Sequence, residues 1–148
     1  MKRKLFWCCL GLCLLWTVFI FSRSAKSGAE SSAESGAVMA LAERFLTSVG
    51  IERLPSERFV RKLGHFAEYF ILGALALPSA TPIWRRFAPL LACGYAATVA
   101  LLDEFLVQSL SVGRGPSFFD VMIDLSGAAT AILLLLGLAW AWKKKSKF

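Results

Sequence analysis

Charge is scarce in this chain, and where it occurs it gathers at the ends of apolar blocks. Only 18% of the 148 residues are Asp, Glu, Lys or Arg, against 57% hydrophobic, and the mean hydropathy is +0.60. A soluble domain of this size covers its core with polar residues; too few are available here, and the composition is that of a membrane protein. A cysteine framework is missing as well. Cys8, Cys9, Cys13 and Cys93 all lie inside apolar runs, with no His or second Cys pair at ligand spacing. That excludes a zinc ribbon or a disulfide scaffold and leaves four reduced thiols acting as small apolar groups. Also absent is any basic stripe with interleaved aromatics, so the formal charge of +7 does not point to nucleic acid. The basic residues flank apolar blocks, where they act on insertion and on anionic headgroups, and membrane lipid is the expected partner.

What is present is a series of long apolar runs. The first, over about 5–21, follows Lys2, Arg3 and Lys4 and contains Trp7 and Trp16. It is long for the core of a signal peptide and reads as a retained span, although the small Ser22 and Ser24 follow it. Ser22 to Gly36 (SRSAKSGAESSAESG) is polar and reads as a loop. Val38, Leu41, Ala42, Phe45, Leu46 and Val49 then recur at helical spacing, with Glu43, Arg44 and Ser48 on the other side. This predicts an amphipathic helix over about 37–50, too short and too charged to span, lying on the interface with Leu41, Phe45 and Val49 in the apolar layer. Ser56 is a natural N-cap for a helix over about 57–77 that Pro78 stops. A third span covers about 88–110. After the Gly/Pro turn SVGRGPS, a fourth covers about 118–142 and ends in Lys143, Lys144, Lys145 and Lys147.

The expected fold is therefore all-α, a single membrane domain over 1–148: a four-span transmembrane helical bundle with one amphipathic interfacial helix. Four spans put both termini on one side. Nine basic residues in short flanks stand against eight on the other side, seven of which are spread through a loop of about forty residues where the bias counts for less. Both termini are thus expected in the cytoplasm of a multi-pass cell-membrane protein. Span two then starts outside, span three ends outside and span four starts outside. His65, Glu68, Asp103, Glu104, Gln108, Arg114, Asp120 and Asp124 all fall at that one face. Arg61, His65, Glu68 and Tyr69 share a helix side, as do Glu104 with Gln108, and Asp120 with Asp124 and Gly127. Polar faces at membrane depth point at each other or at water, and clustered intramembrane ionisable groups mark functional sites.

At these residues the chain resembles the VanZ-like family. RKLGHFAEYFILG (Arg61 to Gly73) is similar to that family's basic-His-Glu-Tyr opening of span two. DEFLVQ and GRGPSFFDVMIDLSGA (Gly113 to Ala128) resemble its Asp-Glu…Gln, Gly-Arg and Asp-x-x-x-Asp/Asn-x-x-Gly series, and the Ser-rich stretch after span one also matches. The resemblance implies a bacterial cell-envelope protein. The family takes its name from a protein giving low-level resistance to the glycopeptide teicoplanin, which implies an envelope or glycopeptide-related ligand. Carried over by motif, its positions here are His65, Glu68 and Tyr69, then Asp103, Glu104 and Gln108, then Arg114, Asp120 and Asp124. One departure bears on geometry. Family members usually place the Gln four residues after the Asp, often behind a His; here Gln108 is five after Asp103 and follows Val107. Either the helix register shifts by a residue or Glu104 takes the Asp role.

Three functions compete. In the first, the face binds an anionic envelope lipid or precursor. Arg61, Lys62 and Arg114 supply charge, with Tyr69, Asp103, Glu104 and Gln108 completing the ligand set, and the start of span four adds free N–H groups. Asp120 and Asp124 would then hold a divalent cation such as Mg²⁺ between carboxylate and phosphate. In the second, a membrane-embedded hydrolase or transferase acts on a lipid-linked phosphate. His65, the single histidine, would be its acid–base group and Glu68 would steer it, while Ser117 reads as an N-cap rather than a nucleophile. In the third, the charges only hold helices together in a structural or partner-binding protein, which could be oligomeric. Binding is preferred to catalysis.

Overall fold

The structure, a computed structural model, describes residues 3–48 and 56–145, and every regular element among them is helical. The order is α1 (Arg3–Ser24), α2 (Gly28–Ser48), α3 (Glu57–Ala80), α4 (Ala88–Leu102) and α5 (Phe118–Lys145). Between α4 and α5 lie a π-helical turn, Asp103–Val107, and a 3₁₀ turn, Gln108–Leu110.

Two of these expectations need correction. The polar stretch read as a loop is largely helix, because α2 starts at Gly28. Its opening is a capping box: the Ser27 hydroxyl accepts from the Glu30 N–H at 3.3 Å, and the Glu30 carboxylate accepts from the Ser27 N–H at 2.9 Å. The amphipathic segment is therefore the second half of a longer helix, and Val49 and Gly50 lie outside the described residues. Second, α3 runs past Pro78 to Ala80. The ring lacks a donor but sits in the last turn, where the Thr81 N–H reaches the Leu77 carbonyl at 3.1 Å and closes the helix. Three helical stretches among the described residues are long and apolar enough to cross a membrane: Phe6–Ser24, Ala88–Leu110 and Phe118–Lys145. The 24-residue α3 is long enough too, but Arg58, Arg61, Lys62, His65 and Glu68 in its first half keep it out of that set. Its cap is as expected, with the Phe59 N–H on the Ser56 hydroxyl at 3.3 Å.

Despite its charge, α3 is the centre of the bundle, packed on α1, α2, α4 and α5. It lies parallel to α5, and the two approach backbone to backbone through glycine. A Cβ on Gly73 would come within 2.6 Å of the Ala128 carbonyl, and one on Gly127 would overlap the Phe66 carbonyl. On α4 the inward residues are Ala88, Ala92, Ala96 and Ala100, one per turn and all buried. Close packing of small residues is how helices associate where no hydrophobic effect separates them from their surroundings. Beside a few buried large residues such as Ile20, Leu72 and Ile132, many large apolar side chains point the other way: Leu15 is 67% exposed, Leu90 68% and Leu133 67%. Polar ties close the interior, with the Trp16 indole on the Glu68 carbonyl at 2.8 Å and Thr17 on the Tyr95 hydroxyl at 2.7 Å.

Replacing Gly127 by Val is expected to force α3 and α5 apart and to cost about 1–3 kcal/mol, the usual penalty of overpacking. Thermal melting in detergent measures it. Val at the exposed Gly137, which meets nothing within 4 Å, is the control and should melt like the wild type.

Candidate functional site

The ends of α1 and α4 and the starts of α3 and α5 meet at one end of the bundle, and the polar side chains of all four helices converge there. His65 is two turns into α3 and Asp124 two turns into α5. The glycine contact one turn deeper fixes the spacing between those helices and sets the His65 Nδ1 3.2 Å from the Asp124 Oδ1. Their orientation is off hydrogen-bonding geometry, and neither Asp124 oxygen has a hydrogen-bond partner among the described residues.

Asp103 and Glu104 come from the π turn, and this turn answers the one-residue departure seen in the sequence. The Gln108 N–H bonds to the Asp103 carbonyl, five residues back. The wider turn brings the Gln108 amide over both acids, donating to Asp103 Oδ2 at 3.3 Å and to Glu104 Oε1. The register does shift, and Glu104 joins Asp103 rather than replacing it. Two more donors orient these carboxylates: the Ser24 hydroxyl bonds Asp103 Oδ2 at 2.8 Å, and the Ser117 N–H bonds Glu104 Oε2 at 3.0 Å. The Ser117 N–H at the start of α5 is thus already committed to the protein's own Glu104. Ser117 is an N-cap as expected, accepting from the Asp120 N–H at 3.3 Å.

His65, Asp103, Glu104 and Asp124 each present one ligand atom such that all lie within 4.8 Å of one another. The three acids are completely buried, and His65 is nearly so. Tyr69, also completely buried, has a hydroxyl with no partner. Asp120 is not part of this group. It turns outward to Lys62, 2.5 Å away, whose ammonium also lies over the Phe119 ring.

Next to the quartet opens a cleft of about 550 Å³ between the end of α1, the first half of α2 and the first turns of α3. His65 and Glu68 line it, together with Arg23, Arg61 and Arg114. Arg23 bridges Glu34 at 2.5 Å and Glu68 at 3.4 Å, while Arg61 and Arg114 have no ion-pair partner among the described residues. The Arg114 guanidinium, held by the Ser24 carbonyl at 3.2 Å, is drawn below its ordinary value by burial, against which Asp103 and Glu104 work. Its loop is locked to α2: the Gly28 N–H bonds the Val112 carbonyl at 2.9 Å. A Cβ on Gly28 would come within 2.7 Å of the Gly113 carbonyl, and Gly113 has a φ of +76° that only glycine adopts freely.

A family model described as VanZ/LLP1 matches residues 9–140. The chain belongs to the VanZ/LLP1 family. No curated protein and no solved structure matches it. The matched region contains every residue of the quartet and of the cleft. Sequence reasoning reached His65, Glu68, Tyr69, Asp103, Glu104, Gln108, Arg114 and Asp124, but missed Arg23, Ser24 and Glu34. The signal for the first two was available, since a first span ending at the same face brings its last turn there. For Glu34 the signal was the capping box that continues the helix past it.

The α2 arm of the cleft is held by ion pairs of Glu34 with Arg23 and Lys26, all half-exposed. The Lys26 ammonium is the main reason the Glu34 carboxyl lies below its ordinary value near 4.5. A depressed acid stabilises above its unfolded value, and that contribution is lost as pH falls through the folded one. The arm should therefore loosen below about pH 4.5, with added salt, and in Glu34→Gln at neutral pH. The distance between spin labels at positions 33 and 63 reads this out. A distance unchanged by acid, salt and substitution would show that apolar contact alone holds the arm.

Proposed function

We propose that this VanZ/LLP1 family member is a four-span bacterial cell-membrane protein that binds an anionic envelope lipid or precursor in the cleft at its extracytoplasmic face. The fourth span is α3. At 1.5 Å per residue it is about 36 Å long, enough to cross. Arg58 is exposed at the helix start and Lys62 pairs outward with Asp120, while the deeper Arg61, His65 and Glu68 are partly or largely covered by the other helices and face the cleft, which is the condition under which ionisable groups persist at membrane depth. With α3 counted, both termini are cytoplasmic, as the basic flanks favour. The exposed Val38, Leu41 and Phe45 of α2 then lie in the outer leaflet.

The observation that carries the reading is the pair of guanidinium groups, Arg61 and Arg114, facing one cleft without an ion-pair partner among the described residues. Arginine forks match phosphate and carboxylate oxygens, and a lipid source is favoured because Val38, Val60 and Leu63 supply an apolar wall to the same cleft. Holding such a precursor is a route by which a small membrane protein would blunt a glycopeptide antibiotic. A second reading, a hydrolase or transferase on a lipid-linked phosphate, draws on one feature: His65 lines the cleft and abuts Asp124, as a base steered by a carboxylate does.

Binding of a polyprenyl phosphate and of phosphatidylglycerol to the purified protein, followed by native mass spectrometry, tests the first reading. Arg61→Ala and Arg114→Ala should each weaken binding roughly tenfold or more, the weight of a charge-assisted hydrogen bond. Equal retention by wild type and variants removes it. Release of inorganic phosphate from a polyprenyl diphosphate, lost in His65→Ala, supports the second reading instead.

Topology is checked separately with the four native cysteines replaced by Ala. An impermeant thiol reagent applied to intact cells should label Ala29→Cys and spare Arg85→Cys. The reverse pattern overturns the orientation.

A further inference from the structure

From the quartet we infer a buried metal centre: His65, Asp103, Glu104 and Asp124 together ligate one divalent first-row transition ion, of the Mn²⁺, Fe²⁺ or Zn²⁺ class. It is a different site from the Asp120–Asp124 pair suggested by the sequence, and it does not depend on what the cleft binds.

The first support is geometric. Metal–ligand bonds of about 2.0–2.2 Å place the donor atoms of one ion some 3–4.4 Å apart. The four donors here lie within 4.8 Å of each other, so a contraction of a few tenths of an ångström closes the shell. The closest pair is the most telling. His65 Nδ1 and Asp124 Oδ1 stand 3.2 Å apart in an orientation that makes no hydrogen bond. Adjacent ligands of one ion stand at about that separation and share nothing with each other.

The second support is electrostatic. Three carboxylates are completely buried together, and among the described residues no Lys or Arg forms an ion pair with them. Lys62 pairs with Asp120 and Arg23 with Glu34 and Glu68, while Arg114 acts on Asp103 and Glu104 only from beyond ion-pair distance. Unpaired charge at such depth is strongly disfavoured. A divalent ion leaves one net negative charge instead of three.

The third is the pattern of donors behind the acids. Ser24, Gln108 and the Ser117 N–H orient Asp103 and Glu104, while Asp103 Oδ1 and both Asp124 oxygens are left without partners. Outer groups that hold ligating carboxylates in this way are a regular feature of metal sites. Independently of the quartet, the fully buried Tyr69 hydroxyl has no partner among the described residues, and its phenol lies within electrostatic reach of Asp103, Asp124 and Glu104. It is placed to donate to a water or carboxylate on the ion.

The ligand set selects the metal. Carboxylates alone would suit Mg²⁺ or Ca²⁺; the imidazole moves the preference to Mn²⁺, Fe²⁺ and Zn²⁺. An imidazole committed to the ion is not a free base, so occupancy of this centre and the reading of His65 as a base exclude each other.

The chain has one histidine, which permits a test on the unmutated protein. Purified protein in detergent, without added lipid, is titrated with Mn²⁺ and followed by electron paramagnetic resonance. One ion per chain is expected, resisting a hundredfold excess of Mg²⁺. Pulsed spectra should show a nitrogen coupling that changes when the histidine is labelled with nitrogen-15. Asp124→Asn and Glu104→Gln should weaken binding at least tenfold, and Asp120→Asn should leave it unchanged. No stoichiometric binding overturns the inference. So does binding without nitrogen coupling, or binding lost in Asp120→Asn and kept in Asp124→Asn. If a variant fails to fold, the nitrogen coupling in the wild type decides alone. A protein that takes up no Mn²⁺ in this titration yet binds polyprenyl phosphate through Arg61 and Arg114 would end the metal centre and leave the cleft reading standing.

Discussion

Two parallel helices touching through glycine fix the rest of this molecule. Where α3 meets α5, Gly73 lies against the Ala128 backbone and Gly127 against Phe66, so the helix axes approach more closely than side chains would allow. One turn towards the end of the bundle, that closeness leaves no room for water between His65 and Asp124. Because His65 and Glu68 lie on the faces α3 turns to its neighbours, the tight crossing also helps to keep them from lipid. The polar site and the packing are one arrangement.

The interior follows the same economy of size. Alanine recurs once per turn on the inner face of α4, and that helix's leucines are outside. In water this would be an inverted protein; in lipid the bulky groups have nothing to gain from burial, and small residues are what let polar groups meet. Serine has a matching role at the site. Ser24, Ser111 and Ser117 are short enough to fit the junction of four helix ends, and each supplies a bond there: Ser24 to Asp103, Ser111 to the Ser24 carbonyl, the Ser117 backbone to Glu104.

Much of this was legible in the sequence. The helical class followed from block hydropathy, and the gathering of His65, Asp103, Glu104 and Asp124 followed from counting span directions, because a helix end is fixed to a face as soon as its neighbours are. Helix starts with a side-chain signature, Ser56 and Ser117, were found where the hydroxyl precedes the helix. The α2 start was missed for a physical reason: Gly28 to Gly36 is poor in apolar residues, so periodicity is silent and only the Ser27–Glu30 box marks it. Partner choice was harder still. Asp120 and Asp124 share a helix face and looked like one pair, but the first is shallow enough to meet Lys62 and the second is one turn too deep. Depth relative to a neighbouring helix depends on the α3–α5 offset, which two glycines set and no charge pattern encodes.

The π turn at Asp103–Val107 has a consequence of another kind. Arithmetically it is an α-helix with one residue inserted, and the insertion is absorbed where it arises, since the 3₁₀ turn that follows rewinds the chain more tightly before Ser111. A chain without the extra residue could hold an acid and an amide one ordinary turn apart and present them to the same place. The site is therefore indifferent to an indel that would scramble a sequence comparison: identical chemistry would be displayed from helices of different length. Position in the alignment and position in space come apart over those five residues, and only the second is seen by whatever the site holds.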